Sequence, residues 1–218
     1  TPDRFNESFP IDLQVLINQT GIEIEKLPLY LASVVPSQTE IWQQLAQVKV
    51  INLDLIPLHN LYPTLGIDRA LATFGAGEIY GYPVLVIDGG TALTITGIDD
   101  RRCLLGGAIL PGLRLQICSL FTGTAALPEI ALPSQLPPRW SDNTSDSIAS
   151  GILHTVSAGV SKFIYEWRQL FPDSQIAFTG GDGDLLMKYL KLDRSERMTY
   201  DRQLLFHGIV ALLQGCIL

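Results

Sequence analysis

Asp68 and Arg69 set a carboxylate beside a guanidinium in Gly66-Ile67-Asp68-Arg69, directly after Tyr62-Pro63-Thr64-Leu65. The proline-bearing segment breaks regular structure, and the residues from Ala70 to Phe74 read as a helix. The pair therefore falls near a helix start, where free N–H groups and the helix dipole favour anions. Arg69 suits an acidic ligand there, and Asp68 is left to accept a proton. A plain helix start, with Asp68 as its cap, is the competing description.

Three further polar turns stand at the ends of apolar segments: Asp88-Gly89-Gly90-Thr91, Gly106-Gly107 and Thr179-Gly180-Gly181-Asp182. Glycines let backbone N–H groups come close to a phosphate without a Cβ in the way. Thr91 offers a hydroxyl, and Asp88 can hold a cation that offsets phosphate charge. Any one of these turns also fits a hairpin or a strand-to-helix connection. Three in one chain favour a nucleotide site. None is a Walker or Gly-x-Gly-x-x-Gly sequence, which disfavours P-loop and Rossmann folds.

The elements that must position these turns alternate. A helix is expected over Pro10 to Gln19, and a strand over Leu29 to Val35. A capping box at Ser37-Gln38-Thr39-Glu40 opens a helix through about Gln47, and a strand follows over Val48 to Leu53. After a helix over Arg69 to Tyr80 come three strands, Tyr82 to Ile87, Thr91 to Ile98 and Leu104 to Leu110. The first is apolar throughout, as suits a strand buried on both faces. Leu127 to Pro138 is a proline-rich loop, and the longest helix spans about Ser145 to Leu170. Its stripe Ile148, Ile152, Val156, Val160, Phe163 and Trp167 has helical spacing for core or subunit packing. Gln175 to Thr179 reads as a strand, and Leu185 to Leu190 and Gln203 to Ile217 as helices. The pattern implies an α/β fold with a largely parallel sheet. A second domain is expected from near Pro83, dividing the chain into 1–82 and 83–218.

Composition narrows the class of partner. The 218 residues are 47% hydrophobic and 17% charged, ample for a buried core. A net charge of −7 with no basic run argues against nucleic acid. Cys103, Cys118 and Cys216 are far apart and unaccompanied by a histidine cluster, so a disulfide framework or zinc site is not expected. Buried thiols in a cytoplasmic protein are expected instead. No apolar run is long enough for a membrane span, and Thr1 to Ser8 does not read as a signal peptide.

Taken in order, Ser33-Val-Val-Pro36, Leu65-Gly-Ile-Asp-Arg69, Ile87-Asp-Gly-Gly-Thr-Ala-Leu-Thr94, Gly106-Gly-Ala-Ile-Leu-Pro-Gly112 and Thr179-Gly-Gly-Asp182 resemble the motifs of type III pantothenate kinases. The resemblance implies an actin-like, sugar-kinase-like fold of two ribonuclease-H-like domains. It implies ATP-dependent phosphorylation of the primary hydroxyl of pantothenate by a homodimer. Asp68 would then match the general base, and Gly66, Ile67, Asp68 and Arg69 the pantothenate-binding segment. Asp88 would match the ligand of a monovalent cation, K+ or NH4+, and Thr91 would meet ATP phosphate, with Mg2+ accompanying the nucleotide. Thr144 resembles the threonine that reaches pantothenate across the dimer interface, although a helix N-cap describes it equally well. Tyr62 lies nearer the Gly-x-Asp-Arg than the family's substrate-contacting tyrosine; packing against Pro63 is its other description. The family's opening strand, carrying Asp-x-Gly-Asn-Thr, does not precede Pro10, and because Thr1 is not a methionine it is expected upstream of Thr1. A non-catalytic regulatory homologue and another small-molecule kinase of the same superfold are the rival readings.

Overall fold

The computed structural model of the chain describes residues 28–43, 47–190 and 197–215. They fall into two compact units, one ending at Asn52 and one beginning at Leu53. The helix expected over Pro10 to Gln19 lies outside the described residues.

In the first unit, β1 (Leu29–Leu31) and β2 (Val48–Val50) pair in parallel, joined through α1 (Pro36–Trp42). The expected capping box does not form. Pro36, with its fixed φ, occupies the start of the helix, so the N-cap is Val35 and Ser37 already lies inside. The helix stops at Trp42, short of Gln47.

The second unit is built on a five-stranded sheet in the order β5-β4-β3-β6-β7, with β3 at Val84–Gly89, β4 at Ala92–Ile98, β5 at Leu104–Pro111, β6 at Gln175–Thr179 and β7 at Met198–Tyr200. β4 runs antiparallel to both neighbours, while β3, β6 and β7 are parallel. This is the ribonuclease-H-like arrangement that the resemblance implies. Val84 to Ile87 are all buried, as their continuous apolar run requires of a central strand.

Side chains alternate between the two faces of the sheet. Leu85, Ile87, Leu93 and Ile95 pack in one cluster with Leu153, Val156, Val160, Ile164 and Trp167 of α4 (Thr144–Leu170) and Leu186 of α5 (Gly183–Leu190). Thr96 instead meets α2 (Ile67–Tyr80) through Arg69. α2 in turn crosses α6 (Leu204–Gly215) closely, because Gly75 and Gly208 stand at the crossing and a Cβ on either would strike the other helix's backbone. α2 thus packs with the residues that follow it; the compact division lies after Asn52, whereas the sequence reading divides the chain near Pro83.

The buried stripe of α4 departs from the expected one. Ile148, Val156, Val160 and Trp167 are buried as expected and Ile152 packs partly buried against the core, but Phe163 is 44% exposed, and Leu153 and Ile164 join the core face instead. The thiols differ as well: Cys103 is half-buried and Cys118 exposed. No helix among the described residues is long and apolar enough to cross a membrane.

Candidate active site

Gly66 is the N-cap of α2, so Asp68 is in the first turn and does not itself cap the helix. Its Oδ1 accepts the Arg69 backbone N–H at 2.8 Å, while Oδ2 has no hydrogen-bond partner among the described residues. One oxygen is fixed and the other is left open.

Arg69 turns away from its neighbour in sequence. The guanidinium is buried against β4, where Nε and Nη2 donate to Thr96 Oγ1 at 3.2 and 3.0 Å and Nη2 also reaches the Ile95 carbonyl at 3.4 Å. Nη1 donates to the Tyr62 hydroxyl at 3.0 Å. Tyr62 therefore belongs to this cluster, although it is itself 40% exposed. All of Arg69's partners are neutral; among the described residues no carboxylate forms an ion pair with it. A buried, fully aligned cation without an anion is costly, and an acidic ligand would relieve that cost.

Asp88 is at the end of β3, paired in register with Thr179 of β6. Both strands finish at the same height, so their glycine turns meet. Gly180 has φ +81°, and a Cβ there would fall onto the Asp88 carboxylate and the Gly89 backbone. Burial raises the Asp88 carboxyl above its ordinary value, and the nearby negative charge of Asp68 raises it further. The two carboxylates thus feel each other, and a cation would relieve both.

Thr91 is exposed and immediately precedes β4, which begins one residue later than expected. Its carbonyl accepts the Gly112 N–H at 2.8 Å, tying the turn to the start of α3 (Leu113–Gly123). An open cleft of about 630 Å³ is lined by Gly89, Gly90, Thr91, Arg114, Leu115, Cys118, Gly181 and Asp182. On its wall the buried Asp182 pairs with Arg114 of α3 at 3.0 Å. Tyr189, which donates to the Pro133 carbonyl, is pushed up to about 12 by burial first and by Asp182 second, with Arg114 opposing.

Thr144 stands apart. Asn143 is the N-cap of α4, its side chain accepting the Asp146 N–H at 2.9 Å, so Thr144 is not the cap. It is exposed and makes no hydrogen bond to Asp68, Arg69, Asp88 or Thr91. Arg114 and Thr96 were missed in sequence: neither sits in a glycine turn, and only the fold brings them to the residues they hold. No group of three or more metal-ligating side chains is present among the described residues.

An unengaged carboxylate oxygen, an unpaired buried guanidinium and a glycine-lined cleft on a ribonuclease-H-like sheet are the parts of a phosphoryl-transfer site. The chain belongs to the type III pantothenate kinase family, whose model matches residues 3–166. A type III pantothenate kinase of Nostoc sp. is 50% identical over 194 residues, covering 87% of this chain and 70% of the relative. That of Synechocystis sp. is 46% identical over 201 residues, covering 90% and 77%. In structure the chain is similar to a conserved Baf family transcriptional activator from Campylobacter jejuni, at TM-score 0.66 and 22% identity, covering 92% of this chain and 88% of the other. That likeness supports the fold alone.

Proposed function

We infer that this protein is a pantothenate kinase, transferring the γ-phosphoryl group of ATP to the primary hydroxyl of pantothenate to give 4'-phosphopantothenate, the first step of coenzyme A synthesis. The observations that carry the reading are the open Oδ2 of Asp68 and, on the next residue, the anion-free guanidinium of Arg69.

Asp68 acts as the general base. It takes the hydroxyl proton as that oxygen attacks the γ-phosphorus, and the bond from phosphorus to the bridging oxygen breaks to release ADP. Gly66 to Arg69 form the pantothenate-binding segment. Arg69, aligned by Thr96 and Tyr62, receives the pantothenate carboxylate, and the Tyr62 hydroxyl lies at its edge. The Gly89 to Thr91 turn receives ATP phosphate, with the Thr91 hydroxyl as donor.

Asp88 fits a monovalent cation, K+ or NH4+: it is a half-buried carboxylate with a second one close by, short of positive charge. Bound there, the cation would offset phosphate charge. Mg2+ is proposed to enter with ATP. The protein is proposed to act in the cytoplasm as a homodimer, with Thr144 reaching the pantothenate bound to a second copy.

Release of ADP, coupled to a spectroscopic readout with pantothenate as acceptor, tests the activity. Turnover that is absent, or that persists in Asp68→Asn, would sink the reading. Rates in potassium should exceed those in sodium; equal rates would remove Asp88 from the cation role.

A further inference from the structure

Arg114 is the second residue of α3, and its side chain is 69% exposed on the cleft that also bears the Gly89 to Thr91 turn. Its Nε donates to both Asp182 oxygens at 3.0 and 3.1 Å, and Nη2 lies 3.0 Å from Oδ1. Nη1, with two N–H groups, has no partner among the described residues. One edge of the planar guanidinium is thus clamped and the other is presented to the cleft.

Asp182 is a rigid anchor. Its N–H donates to the Gly89 carbonyl at 2.9 Å, its carbonyl accepts the Leu186 N–H at 2.8 Å, and its side chain is only 9% exposed. Without Arg114, that buried carboxylate would repel any anion entering beside Gly181. With Arg114, the wall carries a neutralised pair and two donors left over.

We propose that Arg114 is a nucleotide-binding residue that grips a phosphate oxygen through Nη1 while Asp182 holds its opposite edge. Only guanidinium can serve two anions from two edges in fixed geometry; an ammonium point charge cannot. The inference rests on the kinase reading only for the identity of the nucleotide, a nucleoside di- or triphosphate.

Calorimetric titration of the whole protein with ADP and with adenosine tests it, because only ADP carries the phosphates. In Arg114→Met, ADP affinity should fall about 10- to 100-fold while adenosine affinity stays within about twofold. That variant leaves Asp182 buried and unpaired, so the double variant R114M/D182N removes the stranded charge and should show the same selective loss. Arg114→Lys should recover only part of the ADP affinity. Equal losses for adenosine and ADP, or unchanged ADP affinity in the double variant, would overturn the proposal. A wild-type protein that binds ADP yet never phosphorylates pantothenate would defeat the kinase reading and leave this test standing.

Discussion

Two aspartate–arginine combinations stand at the candidate site, and they behave oppositely. Asp68 and Arg69 are adjacent in sequence, yet the guanidinium points into the sheet and bonds only neutral groups. Asp182 and Arg114 are 68 residues apart and form a forked ion pair. Adjacent residues on a helix diverge by about 100°, so neighbours in sequence do not face each other. Charges left unmatched at one end of the site, and matched at the other, separate where a ligand must supply the counter-charge from where the protein already does.

The sharpest way to break this contrast is Asp68→Asn. Turnover should drop about 100-fold or more, with little change in pantothenate KM, because only the proton acceptor is lost. A variant that kept its rate would mean the open oxygen is idle. Next comes Arg69→Met, expected to raise pantothenate KM about 10- to 100-fold while ADP affinity is unchanged. Arg114→Met should do the reverse, and steady-state kinetics in both substrates would show whether the two arginines divide the work. A smaller effect is expected from Thr96→Val, which strips two hydrogen bonds from Arg69. Pantothenate KM should rise about fivefold to tenfold, with recovery in Thr96→Ser.

The subtlest prediction concerns stability. The folded state holds a proton on Asp88 more tightly than the unfolded chain does, because its carboxyl is raised by burial and by Asp68. Ionised Asp88 therefore costs stability at neutral pH, and the cost disappears as pH falls through the folded value. In cation-free buffer, Asp88→Asn should melt a little above wild type at pH 7, and the gap should close on acidification. A gap that widened in acid would refute the assignment of that strain to Asp88.

Much of this was legible in the residues. The Tyr82 to Ile87 run announced a central strand because burial on both faces leaves no room for polar positions. Gln175 to Thr179 was read with its observed limits, its apolar residues being bounded by a polar segment and a glycine turn. What escaped depended on competition or on tertiary direction. At α1 a proline displaced the capping box; on α4 the sheet selected Leu153 and Ile164 over Phe163. The site showed the same division. Its glycine turns could be found by composition, whereas Thr96 and Arg114 matter only because β4 and α3 bring them to partners far off in sequence.

The positive φ of Gly180 carries one last implication. With the Asp88 carboxyl resting against its Cα, the loop leaving β6 and the acid ending β3 have no slack between them, so a displacement of either is transmitted to the other. Were the proposed cation bound at Asp88 and a nucleotide at the glycine turns, their occupancies would be thermodynamically linked: whatever factor the nucleotide added to the grip on the cation, the cation would return to the nucleotide.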